Sequence, residues 1–221
     1  MPDRSFLLVF DFDGTLADTR EDLIISANVI RERFALPPLS AAEVIDRVGN
    51  GAQRLVAAVL DLPIDHPRTA EALRLFKDHY GTHQVDHVRL YPGVRETLET
   101  LYASCFLAVI SNKPGEMVRK LASHLGIDRW LHPLWGGEDV GAFKPDPTGL
   151  LAVMRLHGVA PGRTLMVGDM AIDIETGRRA GTATAFCTYG FRSISDVTLP
   201  PDHVIDRFSD LLALVEDLRR S

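Results

Sequence analysis

The chain has 221 residues, 46% of them hydrophobic, and its 24 lysines and arginines against 30 aspartates and glutamates give a formal net charge of −6. A chain of this length buries about 70% of its unfolded surface, in one large domain or in a core with a smaller attached domain. Non-specific binding to DNA or RNA depends on Lys and Arg displacing counterions from phosphates. The acidic balance therefore argues against a nucleic-acid-binding protein.

Neither export nor a disulfide framework is expected. The first apolar run, Phe6–Phe10, ends at Asp11, whereas a membrane span needs about 20 apolar residues. Cys105 and Cys187 each lie in an apolar run and form no CxxC pair, so we expect two buried, reduced thiols. These features predict a cytoplasmic protein with no membrane partner.

The first predicted strand, Phe6–Phe10, is followed by a stretch of helical patterns without a convincing strand. Three features indicate these helices: the apolar stripe Leu23, Ala27, Ile30 and Phe34, the capping box from Ser40 to Glu43, and the helical patterns Gln53–Leu60 and Arg68–Gln84. We predict an all-helical cap over residues 18–87, above the carboxyl ends of the strands, where open α/β sheets bind their ligands. Residues 1–17 and 88–221 then form the core.

In the rest of the chain, short runs rich in Val, Ile and Phe alternate with helical patterns, which is typical of β–α units on a parallel sheet. The later predicted strands are Phe106–Ile110, Thr164–Val167, Ala183–Cys187 and His203–Ile205. The predicted helices are Val94–Ala103, Gly115–Leu125, Pro147–His157, Ile172–Ala180 and Asp210–Arg219, the last with Ser209 as its N-cap. The predicted fold class is α/β: a Rossmann-like parallel sheet core with helices on both faces, and a small all-helical cap inserted after the first strand.

Two carboxylates, Asp11 and Asp13, follow the first strand directly and precede Gly14. Burying two like charges together is costly unless a cation compensates them. Mg²⁺ prefers oxygen ligands and needs few of them from the protein. The segment from Asp11 to Leu16 therefore indicates a metal site at a strand end, with a solvated turn as the alternative that these residues alone leave open.

Three later segments contain complementary groups. Ser111 and Asn112 follow a predicted strand and precede a helix, a placement suited to binding phosphate. Lys144 lies in a turn flanked by prolines, where an ammonium could neutralise a phosphate and a carboxylate. Asp169 and Asp173 follow another strand and open a helix. Together with the first segment, these are the residue types that a Mg²⁺-dependent phosphoryl-transfer site requires.

The four ordered motifs resemble those of the haloacid dehalogenase superfamily of phosphohydrolases, and the resemblance covers nearly the whole chain. It implies that Asp11 is the nucleophile and forms an aspartyl-phosphate. Asp13 would be the general acid for the leaving oxygen and then the base for water, and Lys144 would orient and neutralise the reacting groups. The implied ligands of Mg²⁺ are Asp11, the backbone carbonyl of Asp13 and Asp169, with Asp173 supporting the metal shell; those of phosphate are the Gly14 N–H, Ser111, Asn112 and Lys144.

Further segments resemble the phosphoglycolate phosphatase subfamily, which hydrolyses 2-phosphoglycolate to glycolate and phosphate under a helical cap. These segments are Val48–Ala52, Leu90–Val94, Gly136–Asp139 and Thr188–Phe191. Met170 departs from the pattern, because relatives usually carry Ser there. The candidate cap contacts with the substrate carboxylate are Gly49, Asn50, Gly51 and Arg54; the alternative is a flexible turn that caps the next helix.

The reaction is predicted more firmly than the substrate. Paralogues in the subfamily act on other small phosphates, so a phosphatase for a sugar phosphate or pyrophosphate and a sugar-phosphate mutase are alternatives. A catalytically silent binding or regulatory protein is disfavoured by the intact set of motifs. We expect a small phosphorylated metabolite as partner, Mg²⁺ as cofactor, no nucleic acid, and a monomer or homodimer.

Overall fold

The computed structural model describes residues 4–220, which form a parallel sheet, a separate two-stranded ribbon and ten α-helices. The strands of the sheet are β1 (Phe6–Phe10), β4 (Cys105–Ser111), β5 (Leu134–Gly136), β6 (Thr164–Gly168), β7 (Ala183–Cys187) and β8 (His203–Ile205). Their order is β5-β4-β1-β6-β7-β8, and every pairing is parallel. Strands β2 (Ala17–Asp18) and β3 (Arg89–Leu90) form the antiparallel ribbon.

The helices fall into a group before β3 and a group after it. The first group is α1 (Arg20–Arg33), α2 (Ala41–Ile45), α3 (Ala52–Val59) and α4 (Pro67–His83). The second is α5 (Val94–Tyr102), α6 (Gly115–His124), α7 (Gly137–Val140), α8 (Thr148–His157), α9 (Ala171–Ala180) and α10 (Leu211–Arg220). Within residues 4–220, no helix is both long and apolar enough to cross a lipid bilayer.

Strand β1 lies in the middle of the sheet and is buried on both faces. Phe6, Leu8 and Phe10 join an apolar cluster with side chains of α5, α6 and α10, whereas Leu7 and Val9 join a second cluster with α8 and α9. Successive strand residues point to opposite faces, so a strand covered on both sides needs a continuous apolar run. The sequence of β1 meets this requirement, and the predicted core with helices on both faces is confirmed.

Helices α1 to α4 lie between β2 and β3 and form the predicted helical cap. Leu23, Ile30 and Phe76 pack in an apolar cluster that also includes Met117 and Met170 from the core. The cap is therefore seated on the carboxyl end of the sheet. The division at residues 17/18 and 87/88 stays a prediction; the β2–β3 ribbon pairs the chain segments at its two ends.

Strand β5 adds to the sheet edge beside β4 and was not predicted. This strand has only three residues, between Pro133 and Gly137, and such a short run carries no alternation of apolar and polar side chains. The buried free thiols Cys105 and Cys187 are as predicted.

The prediction of Ser209 as the N-cap of the last helix was wrong. Phe208–Asp210 forms a 3₁₀ turn, and α10 begins one residue later, at Leu211. The Asp210 carboxylate accepts a hydrogen bond of 2.9 Å from the backbone N–H of Arg207. Arg207 is therefore the N-cap of this turn and Asp210 is the acidic residue at its N3 position, so the cap lies two residues before the predicted position.

Candidate active site

The order of the strands creates a crevice at the carboxyl end of the sheet. From β1 the chain passes to β4 and β5 on one side, and then returns to β6 on the other side of β1. Connections that diverge in this way leave a space for ligands above the strand ends. Asp11 follows β1, Ser111 ends β4 and Asp169 follows β6, so three separate motifs meet at this position.

Asp11, Asp169 and Asp173 form a buried triad of carboxylates. One oxygen from each lies within 4.8 Å of the others. Burial raises the pKa of Asp169 well above its ordinary value, and the charges of Asp173 and Asp11 raise it further. A cation among these oxygens would offset both effects, and a set of oxygen donors suits Mg²⁺. The three carboxylates predicted for the metal therefore fit a divalent cation. The predicted ligand from Asp13 is its backbone carbonyl, and the Asp13 side chain lies outside this triad.

Two donors fix the orientation of Asp169. The Thr15 hydroxyl donates to Oδ1 at 2.9 Å and the Phe191 backbone N–H donates to Oδ2 at 2.7 Å. Sequence reasoning gave neither residue a role. The Thr15 contact joins positions 154 residues apart, and no local pattern reports such a pairing.

Gly14 is required where it stands for two reasons. Its φ of +82° lies in the left-handed region, and a Cβ atom on this residue would be 2.2 Å from Oδ2 of Asp169. The backbone of Gly14 therefore runs directly against the triad. Its N–H donates to the Ala17 carbonyl at 3.0 Å, so the predicted contact between this N–H and phosphate is not available in this structure.

We expect Gly14→Ala to lower the free energy of unfolding more than Gly158→Ala does. Gly158 has a φ of +66°, but an added Cβ there meets nothing within 4 Å. Its substitution therefore measures only the cost of placing alanine in the left-handed backbone conformation, about 1–2 kcal/mol. At Gly14 the displacement of Asp169 adds about 1–3 kcal/mol. Urea unfolding of both variants measures the difference. Equal losses would mean that Asp169 moves aside without penalty.

Lys144 connects two members of the triad. Its Nζ lies 2.9 Å from Oδ1 of Asp11 and 2.7 Å from Oδ1 of Asp173. Burial opposes the charged form, but attraction from Asp11 and Asp173 outweighs it and raises the pKa of Lys144. The side chain is therefore an ammonium held against the predicted nucleophile.

Asn112 positions the turn that contains Lys144. Its Oδ1 accepts from the Lys144 backbone N–H at 2.7 Å, and its Nδ2 donates to the Lys144 carbonyl at 3.0 Å. The same Nδ2 donates to the carbonyl of Gly49 in the cap at 2.9 Å. Because Oδ1 and Nδ2 of Asn112 are both bound to protein groups, the backbone N–H is the group of Asn112 that could contact phosphate.

The four predicted cap contacts do not lie together. Gly49 and Gly51 line a small cavity of about 50 Å³ with Asp11, Asp13 and Ser111. Asn50 and Arg54 instead line an outer groove between cap and core, together with Lys77, Glu138 and Phe143. Arg54 is exposed and is absent from the lining of the inner cavity.

Sequence reasoning gave no role to Lys113, although the residue lies next to two predicted phosphate ligands. Its Nζ donates to both oxygens of Asp13, at 2.9 and 2.8 Å, and to the Tyr80 hydroxyl at 2.9 Å. The Thr19 hydroxyl also donates to Asp13, at 2.6 Å. The Asp13 carboxylate is therefore held by Lys113, which also contacts Tyr80 of the cap.

The site combines acceptors and cations suited to an anionic reactant. Asp11 is paired with the Lys144 ammonium and belongs to the triad that fits a divalent cation. Asp13 is a second carboxylate in the lining of the same cavity. Attack on a phosphate by a carboxylate requires such cancellation of charge. Cap residues, among them Leu23 and Phe76, form part of the cavity wall and so reduce the contact of the site with bulk water.

The family model for the haloacid dehalogenase-like hydrolases matches residues 8–187. The chain belongs to this family and is a phosphoric monoester hydrolase, as its fold and its site indicate. More particularly, it is similar to phosphoglycolate phosphatases, which confirms the resemblance found in the sequence. The phosphoglycolate phosphatase of Vibrio parahaemolyticus is 35% identical over 219 residues, 95% of each chain. That of Aquifex aeolicus is 33% identical over 212 residues, 96% of this chain and 97% of the relative.

Solved structures agree with this assignment. A crystal structure from Haemophilus somnus, described as a predicted phosphoglycolate phosphatase, has a TM-score of 0.84 at 32% identity, with coverage of 97% of this chain and 99% of that one. A haloacid dehalogenase-like hydrolase from Bacteroides fragilis has a TM-score of 0.87 at 23% identity, over 94% of this chain and 100% of that one. At that identity the second likeness supports the fold alone.

Proposed function

We propose that this protein hydrolyses 2-phosphoglycolate to glycolate and phosphate, with Mg²⁺ as cofactor and an aspartyl-phosphate on Asp11 as intermediate. The observation that carries the proposed reaction is the placement of Asp11, which lines the cavity beneath the cap and lies 2.9 Å from the Lys144 ammonium. The proposed substrate is supported by the similar proteins named phosphoglycolate phosphatase.

In the first proposed step, an Asp11 oxygen attacks phosphorus and the bond from phosphorus to the leaving oxygen breaks. Asp13 in its protonated form donates a proton to that oxygen, so glycolate leaves as an alcohol and Asp13 is left as the carboxylate that pairs with Lys113. Lys144 reduces the repulsion between the Asp11 carboxylate and the incoming phosphate. Bound by Asp11, Asp169 and the backbone carbonyl of Asp13, with Asp173 in support, Mg²⁺ would supply further positive charge to the phosphoryl oxygens.

In the second step, Asp13 accepts a proton from a water molecule, whose oxygen attacks phosphorus as the bond to Asp11 breaks. Phosphate is released and Asp11 is restored. Throughout, the Ser111 hydroxyl and the backbone N–H of Asn112 hold the phosphoryl oxygens. A small cavity beneath the cap favours a compact substrate.

The substrate assignment is tested by comparing kcat/KM for 2-phosphoglycolate, sugar phosphates and pyrophosphate, with release of inorganic phosphate as the readout. We expect 2-phosphoglycolate to have the highest value. A higher value for a sugar phosphate or pyrophosphate would overturn the assignment, and isomerisation of a sugar phosphate without net phosphate release would identify a mutase. The cytoplasmic location and the monomer or homodimer state stay predictions.

A further inference from the structure

The cavity that contains Asp11 and Asp13 has one cationic side chain in its lining. Of the residues that the structure describes, 4–220, Lys113 is the one Lys, Arg or His that lines it. The remaining lining on the cap side is mostly apolar and includes Leu23, Leu55 and Phe76. Among the described lining residues, Lys113 is therefore the one cation that could bind an anionic group at the cap end of this cavity.

Lys113 is buried, with 4% of its side chain exposed. Its Nζ forms an ion pair with the Asp13 carboxylate at 2.8 Å and also donates to the Tyr80 hydroxyl at 2.9 Å. A ligand carboxylate bound to Lys113 would take the place of one of these contacts, and little water is present to screen the interaction.

Tyr80, from α4 of the cap, provides an unused donor beside this charge. Its hydroxyl oxygen accepts a hydrogen bond from Lys113, and within residues 4–220 no group accepts the proton of the Tyr80 hydroxyl. Burial raises the pKa of Tyr80 to about 12, despite the nearby Lys113 charge, so the proton stays in place. Buried hydroxyl donors normally find an acceptor. In a cavity beneath a cap, this unused donor points to an acceptor on a ligand.

We propose that Lys113 and Tyr80 form the subsite that binds the carboxylate of the substrate's leaving group. The inference rests on the proposed function and specifies how the enzyme recognises its substrate. In 2-phosphoglycolate a single CH₂ separates the carboxylate from the leaving oxygen, and that oxygen must lie beside Asp13 to receive its proton. Lys113 Nζ is 2.8 Å from Asp13, so a group one carbon beyond the leaving oxygen lies within reach of Lys113 and Tyr80.

This assignment moves carboxylate recognition away from Arg54. The Arg54 side chain is exposed in the outer groove and does not line the cavity that contains Asp11 and Asp13. Tyr80 belongs to the cap and Lys113 to the core, so a carboxylate bound between them would also hold the two parts together.

The test compares 2-phosphoglycolate with ethyl phosphate, in which a methyl group replaces the carboxylate. Tyr80→Phe removes one hydroxyl and keeps the ring that stacks on Phe76, with centroids 5.3 Å apart. We expect kcat/KM for 2-phosphoglycolate to fall by about tenfold or more, as for a hydrogen bond to a charged group, and kcat/KM for ethyl phosphate to fall by less than about threefold. Arg54→Ala tests the competing candidate and should change kcat/KM for both substrates by the same factor.

Binding provides a second readout that does not depend on turnover. In the Asp11→Asn background with Mg²⁺ present, calorimetry gives Kd for the two phosphates before and after adding Tyr80→Phe or Lys113→Met. Each added substitution should raise Kd for 2-phosphoglycolate by a factor at least about ten times larger than the rise in Kd for ethyl phosphate. Equal weakening of both ligands, or a selective loss with Arg54→Ala, would overturn the subsite.

Failure of the subsite can be told apart from failure of the proposed function. A preference of the unmodified enzyme for another phosphate would reject 2-phosphoglycolate as substrate, while the difference in Kd between the two ligands would still decide whether Lys113 and Tyr80 bind a carboxylate. Conversely, the unmodified enzyme can prefer 2-phosphoglycolate while the variants show no selective loss.

Discussion

Asp11→Asn should lower kcat for phosphomonoester hydrolysis by about 10⁴-fold or more, as expected for loss of a covalent nucleophile. Asparagine has nearly the same size as aspartate, so the cavity keeps its shape, and Lys144 keeps its contact with Asp173 at 2.7 Å. The amide oxygen is a poor nucleophile towards phosphorus. Release of inorganic phosphate measures the loss. Asp65→Asn, the same substitution at an exposed position of the cap, is the matched control and should retain full activity.

The covalent intermediate gives this prediction a direct chemical check. When the unmodified enzyme is quenched in acid during turnover, the peptide that contains Asp11 should carry phosphate. Borohydride should reduce the acyl phosphate to homoserine at that position. Activity in the Asp11→Asn variant close to that of the control, or a quenched enzyme without phosphate on Asp11, would mean that water attacks the substrate directly.

Removal of divalent cations should abolish turnover, with a loss of at least about 10³-fold, and added Mg²⁺ should restore it. The physical reason is the buried triad: without a cation, burial and the charges of its neighbours disfavour the ionised form of Asp169. The same groups repel an incoming phosphate. Assays in excess EDTA, followed by titration with Mg²⁺, measure the effect. Full activity in EDTA would exclude the proposed cofactor.

Binding of Mg²⁺ to the triad should also increase the stability of the folded protein. A ligand that binds only the folded state adds about 2.7 kcal/mol to the free energy of unfolding at a concentration of 100 times its Kd. We therefore expect Mg²⁺ to raise Tm for the unmodified protein. In Asp169→Asn the triad has lost one carboxylate, and the rise should largely disappear. An equal rise in both proteins would locate the bound Mg²⁺ away from the triad.

Much of the fold could be predicted from local patterns. The continuous apolar run of β1 can be buried on two faces only in the interior of a covered sheet, and the helical stripe with Leu23 and Ile30 predicted a separate helical segment. The positions of Asp11, Ser111 and Asp169 at strand ends predicted their convergence, because the carboxyl ends of neighbouring parallel strands meet at one edge of a sheet.

The sequence by itself thus determined the alternation of strands and helices, the inserted cap and the residues that meet at the strand ends, since each depends on neighbours along the chain. Only the tertiary structure decided the contacts around Asp13 and the position of Arg54: Lys113 pairs with Asp13, Tyr80 of the cap joins them, and Arg54 faces the outer groove. The Lys113–Asp13 contact joins two core positions 100 residues apart. Such contacts depend on how distant segments of the chain pack together, which local periodicity does not encode.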